Sequence, residues 1–502
     1  MAPTRTTAKP AGAEIQGELA QMGLEQKTVA ASKAANEQSP YFQRLNPVTG
    51  APASRGRAMT VHEACAVAQR AAAALPAWAA IGPGTRRSLL LKASERLSEQ
   101  TDAFVSVMMD ELGSTEGWAR INVVHGVGLL QEAAALTTQV VGEVLPSNVP
   151  DRLSLSVREP AGVVLGIAPW NAPVVLGLRA IATPLACGNT VILKASEICP
   201  ETHRMLCQLF VDAGFPEGVV NLVSNAAADA GDVVGALIEH PAVRRINFTG
   251  STKVGRIIAT RAAEQLKPVL LELGGKAPLI VLEDASLEEA AQAAALGAFL
   301  NQGQICMSTE RIIVLDSVAD RFVELLKVKT AELEARDPRL KLSLLGAVIG
   351  ADVGPRLKTL LDGALQAGAT LVAGEKCEGV IIQPMIVDRV TSDMRLFREE
   401  SFGPIVAVCR ARDEDQAIEL ANDSEYGLTA SVFTRNAIRG LQVARRIKSG
   451  SCHINSPTVQ DEPQVPFGGT KSSGYGRFGG RAGIDEFTEL RWITLNMASP
   501  PN

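Results

Sequence analysis

The chain has 502 residues, 46% hydrophobic and 21% charged, the balance of a folded protein large enough for more than one core rather than of a disordered one. Its 49 Lys and Arg against 54 Asp and Glu leave a net charge of −5, so no basic excess exists to neutralise nucleic-acid phosphates. The eight cysteines (Cys65, Cys187, Cys199, Cys207, Cys306, Cys377, Cys409, Cys452) form no CxxC and no zinc-ligand spacing, so neither a metal site nor a disulfide framework is expected and a cytoplasmic setting is.

Residues 1–40, rich in Ala, Thr, Gln and Glu, read as a flexible tail without the apolar run of a secretory leader. Asn46-Pro47-Val48-Thr49-Gly50 signals a turn. Thr60 followed by Glu63 predicts a capping box and a helix to about Ala80, and a second helix is expected over 84–99. Between Ala161 and Leu193 the only charge is Arg179, but Pro169, Asn171, Pro173 and Pro184 interrupt the apolar run, so it reads as buried strand, loop, helix and strand rather than a membrane span.

From there strands alternate with helices. Strands are expected at 162–168, 190–194, 218–223, 245–249, 269–273 and 278–282, and Ser286 with Glu289 predicts another capping box. Further strands are expected at 311–315, 369–372 and 405–408, with an isolated one at 487–495. So many βα units exceed one sheet, and the pattern predicts an α/β protein with two doubly wound domains.

Several chemical signals are weak on inspection. Gly474-Tyr475-Gly476-Arg477-Phe478-Gly479 matches GxGxxG but follows a Lys-Ser-Ser loop, and no helix clearly opens at it, so it is read as accidental. Cys452 and His453 are adjacent on a strand and face opposite sides. His62, His125, His203 and His240 read as isolated surface or satisfied core histidines.

Three segments are stronger. In Phe248-Thr249-Gly250-Ser251-Thr252 a strand ends and a helix opens, where Gly250 permits close approach and Ser251 suits an anion. Glu272 sits on an apolar strand beside paired glycines; burial there would raise its pKa and suit a general base, the alternative being a salt bridge to Lys276. Cys306 lies in a polar, glycine-containing loop unlike the setting of a core cysteine, although taken alone it reads as the small buried hydrophobe that a free cysteine most often is.

Together these segments resemble the aldehyde dehydrogenase superfamily. The resemblance runs from about Asn46 to about Leu495 and is carried by PWN at 169–171, KASE at 194–197, FTGST at 248–252, LELGGK at 271–276, GQIC at 303–306, EESFGP at 399–404 and PFGGTKSSGYGR at 466–477. It implies a dinucleotide-binding domain from 41–148 and 161–271, a catalytic domain at 272–482, and a protruding β oligomerisation element from 149–160 and 483–502. By the same resemblance Cys306 is the nucleophile, Asn171 an oxyanion donor and Glu272 the base that activates water. Lys194, Glu197, Gly250, Ser251, Glu400, Phe402 and Trp170 are implied to hold NAD; a carboxylate at Glu197 would repel the 2′-phosphate of NADP. A homodimer or homotetramer is implied, acting on a small aldehyde with no nucleic-acid or membrane partner.

GQICMSTER at 303–311 and the stretch around Trp118 look most like the salicylaldehyde, vanillin and benzaldehyde dehydrogenases. Trp118, Ile305, Met307 and Phe467 are therefore expected to line an aromatic pocket. Arg179 would meet either a substrate phenol or carboxylate, or a neighbouring acidic side chain. A semialdehyde or aliphatic aldehyde dehydrogenase is the alternative, and a retired scaffold is opposed by the retention of Asn171, Glu272 and Cys306.

Overall fold

The computed structural model describes residues 40–340, 343–374 and 379–497; the expected N-terminal tail, Cys377 and the last five residues lie outside them. Helix Val61–Ala80 starts where the sequence places it, with the Glu63 N–H donating to Thr60 Oγ1 (3.3 Å) and the Thr60 N–H to Glu63 Oε2 (2.8 Å). The capping box expected at Ser286 does not form. Ser286 precedes helix Leu287–Phe299 without a side-chain hydrogen bond, and Glu288 and Glu289 in the first turn complement the helix dipole instead. The turn at 46–50 joins two strands that the sequence reading missed, Tyr41–Leu45 and Pro52–Arg57. Their faces are largely exposed and polar, so no apolar alternation announces them.

A six-stranded sheet carries, in spatial order, Gly474–Tyr475, Val269–Glu272, Val243–Thr249, Val163–Ile167, Thr190–Lys194 and Val220–Val223. All but the first run parallel. Among the parallel strands the chain winds outward from Val163–Ile167 in one direction, then returns to its other side at Val243–Thr249. The order thus reverses between these two strands, and the crevice beyond their carboxyl ends is where a doubly wound sheet takes a ligand.

A seven-stranded sheet follows in the order Thr370–Ala373, Met385–Asp388, Ile405–Ala411, Thr309–Leu315, Ala277–Val281, Thr429–Phe433 and Ser451–Ile454. The chain passes between the sheets through Leu273-Gly274-Gly275-Lys276, from the end of Val269–Glu272 to the start of Ala277–Val281. The carboxyl ends of the first sheet therefore approach the amino ends of the second. Cys306 lies just before Thr309–Leu315 and Glu400 just before Ile405–Ala411, so both enter this crevice.

The GxGxxG segment differs from its reading in one respect: helix Gly480–Phe487 does open directly after it. Its first glycine nonetheless serves the sheet. Gly474 pairs with Glu272 at φ +115°, and a Cβ there would lie 1.9 Å from the Leu271 carbonyl oxygen. A third sheet joins Glu143–Leu145, Arg152–Pro160 and Thr488–Asn496, the last two antiparallel from Thr488 opposite Pro160 to Asn496 opposite Arg152. It begins at Glu143 rather than at residue 149, and Gly483 to Phe487 belong to the preceding helix. Leu490, Trp492 and Leu495 stand exposed on it.

Candidate active site

The crevice is a cavity of about 330 Å³ lined by Trp170, Asn171, Gly250, Ser251, Cys306, Glu400 and Phe402, together with Pro169, Leu176, Thr249, Leu273, Gly274 and Arg356. Seven residues named from sequence thus meet in one cleft. Lys194 and Glu197 do not line it; they form an ion pair at the end of the neighbouring strand, where Asn225 Nδ2 also donates to Glu197 Oε1 (2.8 Å).

The Cys306 loop is stitched to the Asn171 loop. Asn301 and Gln302 adopt left-handed conformations at φ 49° and 57°, strained for non-glycine residues, and are buried. Asn301 Nδ2 donates to the Asn171 carbonyl (3.2 Å), and Asn171 Nδ2 donates to the Gln304 carbonyl (3.0 Å). Trp118 Nε1 donates to the same Asn171 carbonyl at 3.0 Å, a role the sequence did not suggest. Burial, followed by the charges of Glu272 and Glu400, pushes the Cys306 thiol up to about 12, with Arg179 opposing.

Glu272 is 2% exposed, and neither carboxylate oxygen has a hydrogen-bond partner. Burial raises its pKa to about 8 against the pull of Arg179 and Arg477. The expected alternative, a salt bridge to Lys276, is not made: Lys276 Nζ donates to Glu310 Oε2 (2.5 Å) and Ser401 Oγ (2.9 Å).

Trp118, Leu176, Ile305, Met307 and Phe467 pack in one apolar cluster against Cys306, joined by Ala172 and Leu428. All four apolar pocket residues expected from sequence are in it. Arg179 meets an acidic side chain, Asp461, and its guanidinium lies 4.3 Å over the Phe467 ring. His125 is not isolated, since its Nε2 is 3.2 Å from Asp461 Oδ2. Burial works to raise Asp461, but Arg179 and His125 leave its pKa lowered. Asp461, Arg356 and Glu310 were missed by sequence; Asp461 and Glu310 sit inside or beside quoted motifs, whereas Arg356 carries no local signal. His203 is a satisfied core histidine, as expected: Ser196 N–H donates to its Nδ1 (3.0 Å), and burial lowers its pKa to about 3.

The residues present suit a nicotinamide dinucleotide. Ser251 caps helix Thr252–Glu264, accepting from the Val254 N–H (3.4 Å), and so sets a helix N-terminus in the cleft wall. Gly274 leaves room beside Glu400, where a Cβ would fall 2.5 Å from Oε2. Glu400 accepts from the Gly275 N–H at 2.9 Å, and burial lifts its pKa to about 7. Phe402 meets Trp170 edge-on, ring centroids 5.8 Å apart. Among the described residues no cluster of three His, Cys, Asp or Glu could hold a metal ion.

A model of the aldehyde dehydrogenase family matches residues 34–493. The chain is 56% identical over 454 residues to the vanillin dehydrogenase of Pseudomonas fluorescens, covering 90% of this chain and 94% of that one. It is 46% identical over 455 residues to the salicylaldehyde dehydrogenase of Pseudomonas putida, at 90% and 94% coverage. A solved structure of a salicylaldehyde dehydrogenase from Pseudomonas putida G7, complexed with salicylaldehyde, superposes with a TM-score of 0.91 at 45% identity, over 93% of this chain and 96% of that one. The chain belongs to the aldehyde dehydrogenase family.

Proposed function

We propose that this aldehyde dehydrogenase oxidises aromatic aldehydes, of the benzaldehyde, salicylaldehyde and vanillin type, to carboxylic acids with NAD. The observation that carries the aromatic reading is the apolar cluster of Trp118, Leu176, Ile305, Met307 and Phe467 set against Cys306. Relatives named vanillin and salicylaldehyde dehydrogenase at 56% and 46% identity support the same substrate class.

Cys306 is the nucleophile. Its thiol proton passes to solvent water, its sulfur forms a bond to the aldehyde carbon, and the electrons of the carbonyl π bond move to the oxygen, which becomes an alkoxide. The Asn171 amide has two hydrogens; one is engaged by the Gln304 carbonyl, and the other serves this alkoxide together with the Cys306 backbone N–H. Loss of one such donor lowers kcat by about 100- to 1000-fold. A bound nicotinamide would supply the hydride acceptor that lets the alkoxide, losing its carbon–hydrogen bond, become a thioester on Cys306. Glu272 then takes a proton from water as it attacks the thioester carbon, the carbon–sulfur bond breaks, and the acid is released. A carboxylate without hydrogen-bond partners and with pKa about 8 is a far stronger base than an ordinary glutamate, which suits this step.

The cofactor would be held by Lys194 and Glu197 at the adenosine ribose, by Gly250 and the helix N-terminus at Ser251 at the pyrophosphate, and by Glu400 with Phe402 and Trp170 at the nicotinamide end. The carboxylate of Glu197 favours NAD over NADP. The exposed Leu490, Trp492 and Leu495 support a homodimer or homotetramer built through the third sheet. Seven described cysteines are all free, in keeping with the cytoplasm.

The test follows reduced-nicotinamide absorbance with NAD or NADP across benzaldehyde, salicylaldehyde, vanillin, succinic semialdehyde and propanal, with Cys306→Ala as control. The highest kcat/KM is expected for an aromatic aldehyde with NAD. Best turnover of succinic semialdehyde or propanal refutes the aromatic pocket, and equal efficiency with NADP refutes the assignment of Glu197.

A further inference from the structure

Residues 399–404 present Glu400 and Phe402 to the cleft, and their shape is not self-supporting. Phe402 sits at φ 41°, left-handed and unfavourable for a side chain of its size. The N–H groups that such a turn exposes are taken up by one carboxylate from another strand. Ser401 N–H donates to Glu310 Oε1 (3.0 Å) and Oε2 (2.7 Å), and Phe402 N–H donates to Oε1 (3.0 Å).

Glu310 is only 4% exposed, so it needs these donors and a counter-charge, which Lys276 supplies at 2.5 Å while also holding Ser401 Oγ at 2.9 Å. Arg356 secures the opposite side by donating to the Ser401 and Phe402 carbonyls. The scaffold beneath is rigid: Glu310 lies on Thr309–Leu315, which pairs in parallel with Ile405–Ala411, the strand that leaves the turn. The residue after Gly275, whose N–H fixes the Glu400 carboxylate, is Lys276 itself. One buried pair therefore connects both anchors of Glu400.

We propose that Glu310, held by Lys276, is a positioning residue that fixes the turn presenting Glu400 and Phe402 to the nicotinamide end of NAD. The inference rests on the assignment of Glu400 to the cofactor. Charge-assisted bonds to backbone N–H groups are about twice as strong as neutral ones, so Glu310→Gln keeps an acceptor but loosens the turn.

The experiment measures NAD affinity of the purified protein by quenching of tryptophan fluorescence, which Trp170 against Phe402 makes sensitive to this turn. Cys306 alkylation by iodoacetamide without NAD and thermal melts are recorded alongside. The variants are Glu310→Gln, the charge-neutral pair Lys276→Met with Glu310→Gln, and Glu400→Gln. Glu310→Gln is expected to weaken NAD about tenfold with alkylation within about twofold of wild type. The paired variant, in which neither member of the pair is left without its counter-charge, is expected to melt near wild type yet bind NAD as weakly as Glu310→Gln. If the paired variant folds and binds NAD like wild type while Glu400→Gln does not, the positioning role is wrong and the cofactor assignment stands. If Glu400→Gln also binds NAD normally, the assignment of Glu400 fails and the inference falls with it.

Discussion

Glu272 should destabilise the fold that holds it, and in a pH-dependent way. Its carboxylate is buried without hydrogen bonds, and burial raises its pKa from 4.5 to about 8. Between those values the folded chain keeps a proton that the unfolded chain releases, so stability falls as pH rises through the window and levels off above about 8. Each pH unit inside it removes about 1.4 kcal/mol, which amounts to about 3 kcal/mol between pH 4.5 and about pH 7. Glutamine fills the same space without titrating. Glu272→Gln should therefore match wild type near pH 5, within a constant offset, and gain on it steadily towards about pH 8. An unfolding entropy of about 2.1 cal/mol/K per residue makes 3 kcal/mol about 3 °C in Tm for a chain of this size. Glu400, also raised by burial, titrates alike in both proteins and cancels in the difference. Thermal melts of the two proteins at matched scan rates across this pH range measure it. A Tm difference that stays flat with pH would refute the raised pKa and with it the argument that Glu272 is poised as a base.

The same pKa makes a kinetic prediction of opposite benefit: kcat limited by thioester hydrolysis should rise with pH and level off near 8, as Glu272 loses its proton, and Glu272→Gln should abolish hydrolysis while leaving Cys306 alkylation intact. Trp118→Phe keeps an aromatic ring in the pocket but removes the N–H bound to the Asn171 carbonyl. It should lower kcat by about fivefold to tenfold, the worth of about 1 kcal/mol, with little change in KM for benzaldehyde; a KM effect alone would confine Trp118 to ring packing. Arg179→Met should cost about 3 kcal/mol of stability by stranding buried Asp461, and Arg179→Met with Asp461→Leu should recover most of it in urea titrations. Because Arg179 is already paired with Asp461, the double variant should leave the kcat/KM ratio of salicylaldehyde to benzaldehyde within about twofold of wild type; a large fall would refute the purely internal role of the pair.

What the sequence made legible followed from periodicity and from residues that need particular backbones. Val163–Ile167 and Thr190–Lys194 are continuous apolar runs because both faces of a parallel sheet are covered, and such runs survive in any reading. The strands Tyr41–Leu45 and Pro52–Arg57 escaped because no apolar alternation marks them; besides their pairing they are held by buried Phe42 and by Arg44 and Ser54 donating to Glu111, contacts that only the fold creates. The site divides in the same way. Cys306 and Glu272 stand in short motifs whose composition is odd for a core, and that oddness is visible locally, whereas their roles and that of Asn171 were legible through the family resemblance. Asp461, Arg356 and Glu310 act on partners 34 or more positions away, as in Glu310 with Lys276 and Asp461 with Arg179. Their importance is created by the sheets that bring those partners together, and no local pattern encodes it. Arg179 is the instructive case: a lone cation in an apolar stretch demanded a partner by physical necessity, but whether that partner was substrate or protein depended on a loop nearly three hundred residues further along the chain. A buried charge read from sequence thus predicts that compensation exists, while only the fold says who provides it.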